Sequence, residues 1–136
     1  MACITNLLEN PGGSFDYNGK THTYPDTRLV WWAGGNPFHH HQDLNLLRHA
    51  SARPETVIIN DWCWNACAQH ADIVLPCTTP LERDDIHLLP RNPYLVMMDK
   101  TVPQAGQAQD DYDIFLGIVQ HLGIQEKYTK GRNARK

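Results

Sequence analysis

Apolar residues along this chain fall in short runs separated by turn-forming residues, and the runs alternate between strand-like and helix-like spacing. Arg28 to Ala33, "RLVWWA", is a continuous run rich in Val and Trp that stops at Gly34-Gly35, the pattern of a strand buried on both faces. Three further strands are predicted at "TVII" (Thr56 to Ile59, closed by Asn60-Asp61), "DIVLP" (Asp72 to Pro76) and "YLVMM" (Tyr94 to Met98). Between the first two, Asn36-Pro37 supplies an N-cap and a first helical residue. Leu44, Leu47 and Ala50 then recur on one face, so a single helix is predicted up to Arg53-Pro54. Trp64 to Ala71 has the composition of a short helix. Phe115, Ile118, Val119 and Leu122 mark a closing helix, with Asp110, Asp111 and Asp113 at its positive end and Gly123 after its last turn. Ahead of all this, "ENPGGSFDYNGKTHTYPDT" is crowded with Pro, Gly, Asn and Asp. It predicts an irregular lead-in with a hairpin at Tyr17-Asn18-Gly19-Lys20.

Strands alternating with helices at this spacing imply an α/β fold, a Rossmann-like, mainly parallel sheet flanked by helices behind an irregular N-terminal lead-in. The expected organisation is a lead-in over 1–27, an α/β domain over 28–123, dinucleotide-binding-like by the resemblance given below, and a C-terminal tail over 124–136. In a parallel sheet the loops after successive strands emerge at the same end. Gly34 to Pro37, Asn60 to Cys63 and Pro76 to Thr79 are therefore expected to line one crevice.

Composition narrows the partners. The 136 residues suffice for one domain, and 41% hydrophobic with 20% charged residues is ordinary for a globular chain. The formal net charge is −3 and the basic residues are scattered except at the extreme C-terminus, so no footprint for nucleic acid is present. No window is long and apolar enough for a membrane segment, and "MACITNLLEN" has neither the basic start nor the hydrophobic run of an export signal. Cys3, Cys63, Cys67 and Cys77 are too sparse for a disulfide-stapled miniprotein and are read as free thiols.

The stretch "WWAGGNPFHHHQDLN", Trp31 to Asn45, carries the first candidate chemistry. A glycine pair after a buried strand lets a ligand approach the main chain without meeting a Cβ. A helix starting at Asn36-Pro37 would add unpaired N–H groups suited to a pyrophosphate. The turn is either such a phosphate site or a plain strand-to-helix connection, since the full GxGxxG spacing is absent. Asp61 either offers its carboxylate to ribose hydroxyls or the N–H donors of guanine, or caps the following short helix. Three consecutive histidines cannot all face one ion, because neighbouring side chains diverge. Cys63, Cys67 and His70, with Cys77 or His41 as a fourth ligand, could hold zinc, or the thiols simply pack. Glu82, Asp84 and Asp85 in "PLERDDI" suit a solvated or cofactor-contacting turn better than paired acid-base catalysis. The tryptophans Trp31, Trp32, Trp62 and Trp64 serve either as core or as platforms for a flat ring.

Taken in order, "WWAGGNPFHHHQDLN", "PETVIINDW", "QHADIVLPCTTPLERDDI" and "DDYDIFLGIVQHLG" resemble successive segments of the molybdopterin oxidoreductases of the dimethyl sulfoxide reductase family. The resemblance is to the branch acting on trimethylamine N-oxide, dimethyl sulfoxide and biotin sulfoxide, and it runs from about Asn10 to Arg132. It implies that Gly34, Gly35, Asn36 and Pro37 contact a molybdopterin guanine dinucleotide, with His40 or His41 nearby. By the same resemblance Asp61 meets the nucleotide end, and Thr78, Thr79, Arg83 and Asp85 belong to the loop after the third strand.

The parent chemistry implied is two-electron oxygen-atom transfer from a small S-oxide or N-oxide, with water as coproduct. The partners implied are the remaining domains of a longer reductase. Relatives are often exported to the bacterial periplasm, and some stay in the cytoplasm. The chain departs from the branch's usual pattern at Asn60, commonly histidine there, and at Asn65, Cys67 and Gln69, where Thr, Thr and Arg are usual. The branch's molybdenum-ligating serine belongs to an earlier region, so no residue here is expected to be catalytic or to bind metal. The competing expectations are a freestanding guanine-nucleotide-binding or interaction module, and a small zinc protein.

Overall fold

The computed structural model describes residues 4–132; Cys3 and the last four residues of the expected tail lie outside them. Two compact units share the chain, Met1–Val74 and Leu75–Lys136.

In the first unit, helix α1 (Ile4–Glu9) is followed by an antiparallel hairpin, β1 (Ser14–Tyr17) and β2 (Lys20–Thr23). Its turn is the Asn18-Gly19 pair, both at positive φ (51° and 73°), the conformation that matches the twist of the flanking strands. The stretch read as an irregular lead-in thus carries a helix as well as the expected hairpin.

Strand β3 (Leu29–Ala33) pairs in parallel with β4 (Thr56–Asp61), from Leu29 opposite Thr56 to Ala33 opposite Asn60. With β5 (Ile73–Pro76) they make a three-stranded parallel sheet in the order β3-β4-β5, as the alternating pattern required. At the start of the sheet the Arg28 guanidinium donates through Nε and Nη2 to the two oxygens of Glu55, each at 2.7 Å. Both side chains are more than half exposed, so the pair contributes only about 0–1 kcal/mol. Asp72 ties β5 to β4: its backbone N–H donates to the Val57 carbonyl, and its carboxylate accepts from the Val57 N–H at 2.7 Å.

One expected helix is two. Helix α2 (Pro37–His40) is a single turn, ended by extended backbone at His41, and α3 (Leu44–Ser51) starts afresh. The cause is Asp43, whose carboxylate accepts from the Leu46 N–H at 2.9 Å and caps a new helix two residues after the first one ends. Helix α3 buries Leu47 and Ala50 completely and packs on α1, where Thr5 and Leu8 are buried. Helix α4 (Ala66–Gln69) follows β4. The core beneath the sheet is Ile59, Cys67 and Ala68, flanked by Trp32, Phe38, Ala71 and Val74. Full burial of a side chain such as Ile59 contributes about 1.5–3 kcal/mol.

In the second unit, "YLVMM" does not extend the parallel sheet. Strand β7 (Leu95–Met98) pairs antiparallel with β6 (Asp85–Leu88) in a separate hairpin, Asp85 opposite Met98 and Leu88 opposite Leu95. Helix α5 (Asp111–His121) is the predicted closing helix. Gly123, at φ 69°, ends it: the Gly123 N–H donates to Gln120 O at 3.1 Å and the Ile124 N–H to Val119 O at 3.0 Å, the paired bonds of a Schellman cap. A short α6 (Gln125–Thr129) occupies the expected tail. No helix among the described residues is long and apolar enough to cross a membrane.

Candidate functional site

The parallel register brings two of the predicted loops together. Because Ala33 lies opposite Asn60, the turn beginning at Gly34 and the residue Asp61 emerge side by side at the C-terminal end of β3 and β4. Gly34 and Gly35 both take positive φ, 82° and 75°, which explains why glycine stands at each. A Cβ built on either would meet no atom within 4 Å, so the space beside this stretch of main chain is open to a ligand. Asn36 then caps α2, its Oδ1 accepting from the Phe38 N–H at 3.0 Å, and Pro37 is the buried first helical residue. His40 is exposed at the end of α2, and half-buried His41 closes it through its backbone N–H to Pro37 O.

The end of β4 is held by polar contacts. Asn60 is buried and accepts at Oδ1 from the Trp31 indole at 2.9 Å, locking β4 to β3 just below the two loops. Asp61 is half-buried. Its Oδ1 accepts from the Trp62 N–H at 2.9 Å and the Cys63 N–H at 3.3 Å, and its Oδ2 from the Asn65 amide at 2.6 Å. Asp61 therefore does not cap α4 itself; Asn65 does, its Oδ1 accepting from the Cys67 and Ala68 N–H groups. Helices α2 and α4 meet through a stacked pair, Phe38 on His70 with ring centroids 4.8 Å apart, which keeps both loops on one scaffold. Trp31 and Trp32 are half-buried in the sheet, whereas Trp62 and Trp64 stand out into solvent beside Asp61.

Cys63, Cys67 and His70 are on this unit too. Among the described residues, no three His, Cys, Asp or Glu side chains are grouped to hold a metal ion, and Cys63 and Cys67 are free thiols. Burial, with the Asp61 carboxylate adding to it, pushes the Cys67 thiol up to about 11, so it stays protonated at neutral pH.

The remaining predicted residues sit in the second unit and bond mainly to one another. The Thr78 hydroxyl, buried, donates to Asp110 Oδ1 at 2.6 Å. Arg83 donates from Nη1 to the Thr78 carbonyl at 2.7 Å and from Nε to Asp85 Oδ2 at 2.9 Å. Glu82 is a hub that sequence reasoning missed: it accepts from the Thr79 N–H and hydroxyl at 2.8 and 2.9 Å and from the Ala105 N–H at 2.9 Å. Those bonds, led by the one from the Thr79 backbone, hold its carboxyl below the usual range. Asp85 is likewise lowered, first by the Ile86 backbone N–H and then by Arg83. The spacing Thr79-x-x-Glu82 is that of a capping box and was a usable signal for this staple. Asn65 was missed as a bridge because a cap and a carboxylate partner on one amide leave no separate mark in sequence.

A sequence model of the family described as "Molybdopterin oxidoreductase" matches residues 12–120. Over 133 residues, 98% of its length, the chain is 45% identical to a biotin sulfoxide reductase of Cereibacter sphaeroides and covers 18% of it. It is 47% identical to a dimethyl sulfoxide/trimethylamine N-oxide reductase of the same organism, and 44% to a trimethylamine-N-oxide reductase of Haemophilus influenzae. In both cases 97% of this chain covers 16% of the relative. The chain thus spans about a sixth of the length of these relatives. Among solved structures, acetylene hydratase from Pelobacter acetylenicus matches 90% of this chain, and 15% of its own, with a TM-score of 0.69 at 22% identity, a likeness of fold.

Proposed function

Since this chain belongs to the molybdopterin oxidoreductase family, we propose that it is the nucleotide-binding part of a molybdenum-dependent S-oxide or N-oxide reductase. It would hold the guanine dinucleotide end of the molybdopterin cofactor. One observation carries the reading: the Ala33 to Asn60 register, which sets an open, side-chain-free turn beside an acceptor carboxylate. Gly34, Gly35, Asn36 and Pro37 would meet the pyrophosphate with main-chain groups, His40 and His41 flanking them. Asp61 would accept from the guanine edge or the ribose. Thr78, Thr79, Arg83 and Asp85 enter the proposal only as the network that shapes the loop after β5.

When bound, the cofactor supplies two-electron oxygen-atom transfer from a small oxide. This chain's own residues bind and orient. The partner they require is the rest of a longer polypeptide, in keeping with the fraction of the relatives that the chain spans. The apolar side chains exposed in the second unit, Leu88, Tyr94 and Met97 among them, support the same reading as surface for such a neighbour to cover.

Calorimetric titration of GDP into this chain and its Asp61→Asn variant tests the proposal. The expected result is binding weakened on the order of tenfold by the substitution, the size of one hydrogen bond to a charged group. Equal affinity in both proteins, or no heat of binding in either, would overturn it.

A further inference from the structure

Asp61 has the acceptor capacity of a carboxylate, about four lone-pair sites on two oxygens. Oδ1 accepts from the Trp62 and Cys63 N–H groups and, at 3.9 Å, from the Cys63 thiol; Oδ2 accepts from the Asn65 amide at 2.6 Å, the shortest of these contacts. The backbone bonds come from the two residues that follow Asp61 and so fix one oxygen to its own local turn. The Asn65 bond is the contact that stops the second oxygen from rotating. Asn65 is itself immobilised, because its Oδ1 accepts from two N–H groups at the start of α4, at 2.9 and 3.1 Å. Helix α4 in turn contributes Cys67 and Ala68 to the core around Ile59. A chain of contacts thus runs from that core through α4 and Asn65 to a carboxylate oxygen with one lone pair left for an outside donor.

We infer that Asn65 is the positioning residue for Asp61, fixing its carboxylate so that Oδ2 presents a single aimed acceptor to the nucleotide. The inference rests on the nucleotide-binding reading above for its consequence, but not for its geometry. A guanine ring offers an N–H at the position where adenine has a bare ring nitrogen, so an aimed carboxylate oxygen favours the first and repels the second. A carboxylate free to turn away loses that discrimination first and general affinity second. Asn65 is therefore expected to control the preference for GDP over ADP without touching either ligand.

Two variants separate this from a merely structural role. Asn65→Ser and Asn65→Asp both keep a side-chain oxygen that caps α4 and both remove the amide donor. In the ligand-free protein, side-chain scalar couplings of Asp61 are expected to report one rotamer in the unsubstituted chain and averaging in both variants, while the Cys67 and Ala68 amides keep their protection from exchange. On titration, the ratio of GDP to ADP affinity is expected to fall roughly fivefold in both variants, toward the value of Asp61→Asn. A single Asp61 rotamer persisting in both variants would overturn the inference, as would a ratio that survives them while Asp61→Asn abolishes it. If the unsubstituted chain binds neither nucleotide, the nucleotide reading is what fails; if it binds both equally, the guanine-edge contact of Asp61 is what fails, and in either case the Asp61 couplings still decide the role of Asn65.

Discussion

In the unit Met1–Val74, Leu47, Ala50 and Ile59 are removed from water entirely. In Leu75–Lys136 the most protected apolar side chains, Ala108, Ile114 and Cys77, keep 8–9% of their surface. The first unit buries Leu47, Ala50 and Ile59 by packing α3 on α1 and by setting α2 and α4 beside a parallel sheet. The second is tied by a polar staple around Glu82 and Arg83 and leaves the β6-β7 hairpin exposed, with Leu88 at 65% and Met97 at 64%. The contrast bears on function. The proposed nucleotide loop would need a rigid base, and Gly34 and Asp61 stand on the unit that has one. Charge-assisted bonds can hold a loop without a deep core, but that fixation depends on pH in a way apolar packing does not.

Three substitutions and one change of conditions sharpen the contrast. The largest effect is expected from Ile59→Ala, which opens a cavity against Cys67 and Ala68; denaturant unfolding should report a loss of about 2–5 kcal/mol. Acid should act next, and on the second unit. The Glu82 and Asp85 carboxyls are held below their ordinary values of 4.5 and 3.8. Their contribution is fully present above those values and is lost as pH falls through the lower folded ones. Amide signals of Thr79 and Ala105 are expected to collapse in that acid range in the unsubstituted chain. In Glu82→Gln they should be weakened at neutral pH and respond less to acid. Persistence of the Thr79 and Ala105 signals to the lowest pH would remove the staple from the account. The smallest effect is expected from Leu88→Ala, within about 0.5 kcal/mol, because its side chain is already in water.

Where the sequence carried a local signal with one physical solution, the fold was legible. The run ending at Gly34-Gly35 could hardly be anything but a strand leading into a turn, and Asn18-Gly19 and Gly123 marked a hairpin and a helix end through backbone conformations that few residues adopt. The pairing of the glycine turn with Asp61 followed from the parallel direction of β3 and β4, which puts the ends of both strands at one edge of the sheet. The break between α2 and α3 was hidden because Leu44, Leu47 and Ala50 keep helical spacing whether the helix begins at Pro37 or at Leu44; only the geometry of Asp43 decides. The partner of "YLVMM" was hidden because a short apolar strand carries no mark of which neighbour it bonds to. The sequence of the Glu82 loop points to a solvated or cofactor-contacting turn and hides the hub, since acceptance from backbone N–H groups depends on where distant Ala105 is brought.

The central claim is that the glycine turn and the Asp61 turn form one nucleotide site. Its most direct test is a titration of GDP into isotope-labelled protein followed at every backbone amide. Gly34, Gly35, Asp61 and Trp62 are expected to shift together along one saturation curve. Shifts confined to one of the two turns, or saturating at different concentrations in each, would contradict it.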